Sequence, residues 1–390
     1  MTFSLQPGRT CLVAASLAAV CGVARAAPLQ VSSGGLNSLG PSLSADGSRL
    51  AFYSASNIGG TNPDNNFEVF VYERASGQTR QITDMPGGIQ AGGNQEPSLS
   101  GDGSRLAFQR FQVSGNTALF QTQSYDLNTN TLTTLTPLGG VFEQSVISRD
   151  GKRIAVSTDN LGVRFYDVAS QSFSAVVAPS VFSMSMSGDG KRLAYETMGG
   201  VKLFDVDTGI TTAVAPLNGA FNQRPMLSAD GSRLTFVSTF NPLGQNADGN
   251  RELFSFDTLT QSFEQLTHTA GGQMDLGGVS GDGSRIAFSS SADLIGENAD
   301  GNVEVFVYDL LAGDFQQVTH ALNGFSVDAT ISADGLTVAY VASHERGAMQ
   351  VFIAALEPRQ PDGRLPEPAS LALVMAALGL LPAVRRARSN

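Results

Sequence analysis

The chain has 390 residues, a hydrophobic fraction of 42% and a formal net charge of −11. Between Ala27 and Glu357 the sequence holds 17 basic and 33 acidic residues, a net charge near −16. A field of that sign repels a phosphate backbone, so the composition argues against a nucleic-acid-binding protein and fits an exported soluble module.

Residues 1–26 have the layout of a secretory signal peptide. An apolar run, Cys11–Val23, precedes the small-x-small cleavage site Ala24-Arg25-Ala26. Both cysteines, Cys11 and Cys21, fall in this segment. The mature chain is therefore predicted to be exported and to contain no disulfide.

A short motif, Ser-x-Asp-Gly followed by an apolar run, recurs seven times at spacings of 56, 48, 39, 41, 52 and 52 residues. An Asp-Gly step between two apolar runs predicts a tight hairpin, since both residues tolerate positive φ. The seven pairs are Asp46-Gly47, Asp102-Gly103, Asp150-Gly151, Asp189-Gly190, Asp230-Gly231, Asp282-Gly283 and Asp334-Gly335.

Each repeat contains further strand-like runs after the turn. In the sixth copy these are Arg285–Ser290, Glu304–Tyr308 and Gln316–Thr319, which alternate or concentrate apolar residues as strands do. Four antiparallel strands returning every 40 to 55 residues or so predict a β-propeller.

The two ends of the repeat region are predicted to join. The last copy lacks a fourth strand, because its third, Gln350–Ala355, runs directly into a Pro-rich tail. Leu29–Ser32 precedes Asp46 as Gln317–Thr319 precedes Asp334. The fold class is therefore predicted to be all-β, a seven-bladed β-propeller over residues 27–357 closed by an N-terminal strand.

Blades one, five and six carry inserted loops that project from one face, and this rim is the candidate binding surface. In blades five and six the loops read Asn-x-Asp-Gly-Asn-x-Glu, which places oxygens at alternate positions as calcium loops do. A plain hairpin turn also uses Asp-Gly-Asn, so the structural alternative stays open. The candidate calcium ligands are Asn246, Asp248, Asn250, Glu252, Asn298, Asp300, Asn302 and Glu304.

The chain has few residues that could serve nucleophilic catalysis. The histidines are His268, His320 and His344, the mature chain has no cysteine, and no Gly-x-Ser-x-Gly elbow occurs. The seven motif aspartates recur where turn geometry demands them. The sequence therefore predicts no catalytic residues, no cofactor other than calcium, and a protein that is not an enzyme. The alternative is a lactonase or lyase using the central channel, which convergent carboxylates and histidines at one channel end would favour.

The tail, residues 358–390, contains Pro366-Glu367-Pro368, an apolar stretch over 369–384, and the arginines Arg385 and Arg386. This order resembles a PEP-CTERM sorting signal. The resemblance implies that an exosortase removes the tail near Pro366-Glu367-Pro368, after transient contact of 369–384 with the inner membrane. The alternative is a permanent anchor that makes the protein a periplasmic scaffold.

The blade repeat also resembles the TolB-like family of propellers. The matching residues are Ser-x-Asp-Gly-x-Arg-Leu-Ala-Phe, the Asp-Gly-Asn-x-Glu runs at Asp248 and Asp300, and Gln-Leu-Thr at Gln265. Seven copies exceed the six blades of TolB, and its extra N-terminal domain has no counterpart, so a role in the Tol-Pal system is not expected.

The resulting hypothesis is a non-enzymatic binding module for a protein or glycan. An exosortase would deliver it to the envelope or extracellular matrix of a Gram-negative, exopolysaccharide-making bacterium.

Overall fold

Short strands pair into seven four-stranded antiparallel sheets in the computed structural model, which describes residues 27–358 except 160, 180, 217–221 and 345–346. The predicted seven-bladed propeller is confirmed. The predicted signal peptide, 1–26, and residues 359–390 of the tail, including Pro366, Glu367, Pro368, Arg385 and Arg386, lie outside the described residues. Within the described part of the chain, no helix is long and apolar enough to cross a bilayer.

The strands of the first four blades are numbered β2 to β17. Blade 1 contains β2 to β5, at Ser38–Leu43, Arg49–Ser54, Glu68–Glu73 and Gln78–Gln81. Blade 2 contains β6 to β9, at Gly92–Leu99, Arg105–Ser114, Thr117–Asp126 and Thr131–Thr134. Blade 3 contains β10 to β13, at Glu143–Ile147, Arg153–Thr158, Gly162–Asp167 and Ser172–Phe173. Blade 4 contains β14 to β17, at Ser183–Met186, Arg192–Thr197, Gly200–Asp205 and Thr211–Pro216.

The remaining blades complete the ring. Blade 5 contains β18 to β21, at Asn222–Leu227, Arg233–Ser238, Glu252–Asp257 and Phe263–Gln265. Blade 6 contains β22 to β25, at Met274–Val279, Arg285–Ser290, Glu304–Asp309 and Asp314–Gln317. Blade 7 contains β26 to β28, at Gly324–Ile331, Thr337–His344 and Gln350–Ala355, with the N-terminal strand β1, Leu29–Gln30.

The motif turn is held by its serine and aspartate. In blade 2, the Ser100 hydroxyl donates to Asp102 Oδ1 over 2.6 Å and accepts from the Arg105 N–H over 3.0 Å. The same Ser-to-Asp bond is present in all seven blades. In each Asp-Gly pair only the glycine takes positive φ, between 65° and 71°. The expectation that both turn residues do so is wrong, because the aspartate instead caps the turn with its side chain.

A closed circuit of backbone hydrogen bonds joins the seven turns. Each bond runs from the N–H of the motif's second residue, or of the aspartate after it, to the carbonyl of the second residue in the next blade. The seven second residues, called here the turn ring, are Ala45, Gly101, Arg149, Gly188, Ala229, Gly281 and Ala333. Because the Ala333 N–H donates to the Ala45 carbonyl over 2.8 Å, the blades form a closed torus.

The N-terminal segment closes the last blade as predicted. Leu29 and Gln30 pair antiparallel with Ile353 and Phe352. The buried Ser32 hydroxyl then accepts from the Val351 N–H and donates to Gln350 Oε1, each over 2.8 Å. These contacts give hydrogen-bond partners to the backbone groups at the edge of β28, which would otherwise be free to pair with another chain.

The core lies between blades, and in blades 1, 5, 6 and 7 the second and third strands stack two aromatic rings there. Phe52 packs on Phe70 with ring centroids 5.7 Å apart, and Phe288 on Phe306 at 5.8 Å. The predicted fourth strands, such as Arg80–Thr83, are displaced: the observed strand ends at Gln81. Thr83 leaves the ladder because its hydroxyl bonds the buried carboxylate of Glu68.

Candidate site at the mouth of the central channel

The channel is lined by the first strands of the blades. Each first strand contacts the first strand of the next blade around the full ring, from β2 through β26 and back to β2. In an antiparallel blade, the inserted loops lie at one end of this strand and the Asp-Gly turns at the other. Residues midway along β2, β6, β18 and β26 therefore border the channel.

A bulge interrupts four of these first strands at the position four residues before the motif serine. The residues there are Gly40, Glu96, Arg224 and Asp328, with φ between 46° and 59°. A left-handed conformation costs a non-glycine residue roughly 1–2 kcal/mol, and bulges re-aim side chains. These residues, together with Tyr53 and Asp275, are called here the bulge layer.

Arg224 forms the centre of an ion-pair network across three blades. Its Nη1 lies 3.4 Å from Asp328 Oδ1 and 3.7 Å from Asp275 Oδ2. Burial works against the charge of Arg224, but the two carboxylates outweigh it and raise its pKa. Asp328 Oδ2 also accepts from the Gly40 N–H over 3.2 Å, which ties blade 7 to blade 1.

Glu96 faces Tyr53 at the same level. The Tyr53 hydroxyl donates to Glu96 Oε1 over 3.3 Å. Confinement between the blades raises the pKa of Glu96, and the negative charge of Asp328 raises it further, although channel solvent reaches the side chain. The pKa of the buried Tyr53 is raised too, by burial first and then by the charges of Glu96 and Asp328.

Two further carboxyl groups extend the acidic surface. Burial raises the pKa of Asp275, and its Oδ1 has no hydrogen-bond partner among the described residues. Glu196 of blade 4 accepts from the Ser183 hydroxyl over 2.8 Å, and burial raises its pKa as well. The bulge layer and Glu196 thus place four carboxyl groups near one guanidinium, and burial raises the pKa of three of them, Glu96, Asp275 and Glu196.

A cavity of about 700 Å³ opens beside this cluster, on the face that carries the loops. Its walls include Leu36, Phe67 and Ile89. Phe67 meets the Tyr53 ring edge-on, with centroids 5.4 Å apart, so the cavity and the bulge layer share a wall. Part of the predicted rim is therefore continuous with the channel mouth.

The candidate calcium ligands lie in separate loops that are stapled by hydrogen bonds. Asn246 donates to the Asn250 carbonyl over 3.0 Å, and Asn298 donates to that of Asn302 over 3.0 Å. Asn250 and Asn302 in turn donate to the carbonyls of Thr269 and Ala321.

The glutamate carboxylates of the two loops already accept hydrogen bonds from the protein. Glu252 accepts from the Thr267 hydroxyl and the Thr269 N–H, and Glu304 accepts from the Thr319 hydroxyl and the Ala321 N–H. The aspartates, Asp248 and Asp300, are exposed.

Some oxygens in these loops remain available. The Oδ1 atoms of Asn246, Asn250 and Asn302 are buried without a hydrogen-bond partner in the described part of the chain. Among the same residues, no three His, Cys, Asp or Glu side chains cluster as metal ligands do. The calcium sites stay a prediction.

The histidines lie away from the bulge layer where the structure describes their side chains. His268 Nδ1 is 3.2 Å from Gln265 Nε2, and His320 Nε2 is 3.1 Å from Glu297 Oε2 on the surface. The motif aspartates are turn caps. The residues that converge on the channel are instead ones that sequence reasoning missed.

No protein-family model and no curated protein sequence matches the chain. Solved structures with the same fold include oligogalacturonate lyase in complex with manganese, 16% identical, with a TM-score of 0.57 over 83% of this chain and 90% of that one. The β-propeller domain of the Trilobed protease from Pyrococcus furiosus, described as having an open velcro topology, is 12% identical, with a TM-score of 0.58 over 82% and 96%. TolB from Acinetobacter baumannii is 17% identical, with a TM-score of 0.39 over 67% and 71%.

The prediction that the protein is not an enzyme is wrong, because a propeller of this fold can be an enzyme by itself. Oligogalacturonate lyase is an enzyme, and 90% of its chain is covered by this propeller. The lack of a Gly-x-Ser-x-Gly elbow therefore does not exclude catalysis. The bulge layer also supplies the convergent carboxylates that the sequence analysis named as a sign of an enzyme, without the histidines.

Proposed function

We propose that the protein is a propeller enzyme that cleaves glycosidic bonds of a polysaccharide at the channel mouth by general acid–base catalysis. The observation that carries this proposal is the Glu96–Asp328 pair. Two carboxyl groups in different surroundings, one favoured in its protonated form and the other held by a guanidinium and a backbone N–H, are what acid–base cleavage needs.

In the proposed reaction Glu96 donates its proton to the leaving glycosidic oxygen as the C–O bond breaks. Asp328 accepts a proton from the water whose oxygen bonds to the anomeric carbon. Tyr53 orients the Glu96 carboxyl through its hydroxyl, and Arg224 orients Asp328. One water is consumed for each bond broken.

The substrate class follows from the charge of the site. The bulge layer and Glu196 bring four carboxyl groups around one guanidinium, so a neutral or amino-sugar chain fits better than a polyuronate. The cavity beside Tyr53 gives room for neighbouring sugar units, and its apolar wall suits the faces of sugar rings.

The test is a comparison of the wild-type propeller with Glu96→Gln and Asp328→Asn on a neutral glucan, chitosan and polygalacturonate. Release of reducing ends is measured, and ultraviolet absorbance reports any unsaturated sugar. We expect hydrolysis of chitosan or glucan, reduced at least ~100-fold in both variants. An unsaturated product would assign the residues to a lyase instead. Glu264→Gln, which changes an exposed carboxylate on the fourth strand of blade 5, is the matched control and is expected to keep full activity.

The same proposal places the enzyme outside the cytoplasm. The signal peptide predicted for 1–26 supports export, and the PEP-CTERM resemblance of the tail supports removal near Pro366-Glu367-Pro368 by an exosortase. The processed protein then acts in the envelope or matrix of an exopolysaccharide-making bacterium. The mass of the mature protein from hosts with and without the exosortase tests this, because an uncleaved anchor retains residues 369–384.

A further inference from the structure

The turn ring closes the channel end opposite the bulge layer, and one of its members is unlike the others. Six of its seven residues are alanine or glycine, and the seventh is Arg149. A Cβ added to Gly101 would lie 3.1 Å from the Cβ of Arg149 and 3.4 Å from that of Ala45. The side chains of ring neighbours therefore converge, and only Arg149 extends beyond Cβ.

The Arg149 guanidinium has no hydrogen-bond or ion-pair partner among the residues that the structure describes. The arginines that begin the second strands, after the motif turns, do have partners: Arg153 and Arg192, for example, donate to the carbonyls of Gly190 and Gly231 in the next blades. Arg149 is partly buried, and burial lowers its pKa with no carboxylate nearby to offset the effect. A partly desolvated cation without a counter-charge is unfavourable unless a ligand supplies the anion.

We propose that Arg149 forms an anion-binding site at the turn-ring end of the channel, for the sulfate or carboxylate group of a small ligand. The guanidinium supplies up to five donors in a planar fork that matches such groups. The ring residue Gly101 lies five positions after Glu96 along β6 and its turn, which is about 15 Å along the channel. The site is therefore distinct from the bulge layer, and it does not depend on the proposed catalytic role of Glu96.

The test is calorimetric titration of the folded propeller with sodium sulfate at low ionic strength, where charge pairing is least screened. Wild type is expected to give a saturable heat. Arg149→Gln is expected to bind at least tenfold more weakly, and Arg149→Lys to retain part of the affinity. Lys152→Gln, which removes an exposed positive charge from the same turn, is the matched control and is expected to bind as wild type does.

A second arm distinguishes a free anion from one carried by a sugar. Glucuronate and glucose are titrated in parallel, and tighter binding of glucuronate than of sulfate, with loss in Arg149→Gln, would assign the site to an acidic sugar. The melting temperature of Arg149→Gln without anions should be no lower than that of wild type. A marked fall would show that Arg149 serves the fold, and equal sulfate binding in wild type and Arg149→Gln would overturn the proposal. Glu96→Gln should leave sulfate binding unchanged whether or not Glu96 is catalytic.

Discussion

The seven blades have the same residues at one end of their first strands and different residues further along them. At the turn end, all seven blades repeat the same serine, aspartate and glycine, joined by the same short hydrogen bond. Four residues earlier, the blades carry residues as different as Gly40, Glu96, Arg224 and Asp328. The repeated end, with its Ser-x-Asp-Gly turns, holds the torus together. The divergent end, with the bulge layer, places charged side chains in the channel.

This difference separates two kinds of polar residue in a repeat protein. A polar residue with the period of the fold meets the same backbone need in every blade, as Asp102 does by capping its turn. A charged residue that breaks the period meets no such need. Glu96 and Asp328 both have a strained left-handed backbone conformation. Such strain is concentrated at functional sites, so we infer that these two residues serve function rather than folding.

The largest expected effect comes from breaking the divergent end. Glu96→Gln keeps the size of the side chain and its acceptor for Tyr53 but removes the proton that the proposed mechanism gives to the leaving group. The rate of glycosidic cleavage should fall at least ~100-fold, while the midpoint of thermal unfolding stays near that of wild type. Asp102→Asn in the turn of the same blade should leave the rate within about twofold. Equal rates for wild type and Glu96→Gln would remove Glu96 from the mechanism.

Substitutions at the repeated end should lower the free energy of unfolding. Ser100→Ala removes the buried hydroxyl that donates to Asp102 and accepts from the Arg105 N–H, so the free energy of unfolding should fall by about 1–3 kcal/mol. Chemical denaturation measures the change. Ser104→Ala, at the partly exposed side of the same aspartate, should change it by less than about 0.5 kcal/mol. A large loss of activity with unchanged stability in Ser100→Ala would contradict the division between the two ends.

Tyr53→Phe tests the link between the cavity and the acid. The substitution removes the hydroxyl that bonds Glu96 and keeps the ring that packs on Phe67. Because that hydrogen bond lowers the pKa of Glu96, its loss should move the basic limb of the pH–rate profile to higher pH, with a rate loss of about tenfold at the optimum. A reduced rate with no displacement of the profile would mean that Tyr53 acts by packing alone.

The smallest effect is a pH dependence of stability. The pKa of Glu96 is raised above the unfolded value of 4.5, so the folded state holds its proton while the unfolded state loses it. Its contribution is full below about pH 4.5 and is lost as the pH rises through the folded pKa. Relative to wild type, Glu96→Gln should gain stability across that window, by less than ~1 kcal/mol because channel solvent screens the charge. A difference in melting temperature that does not vary with pH would contradict this.

The sequence predicted most of the fold because the fold repeats. The Asp-Gly pairs located seven turns, and the orphan strand at Leu29 located the closure, since each is fixed by local backbone chemistry. The bulge layer could not be read in this way. Alternation places side chains on two faces of a regular strand, whereas the left-handed Glu96 and Asp328 depart from that rule. A usable signal was present, namely a charged residue four positions before the motif serine.

The contact of Ser32 with Gln350 spans 318 residues of chain. Loop closure over such a separation is slow, so the first six blades are expected to stack before the seventh is complete. During synthesis the chain emerges from its N-terminus, so Leu29–Ser32 stays unpaired until the final strand, Gln350–Ala355, has been made. Truncated chains that end before Gln350 are accordingly expected to remain open arcs, prone to aggregation and degradation.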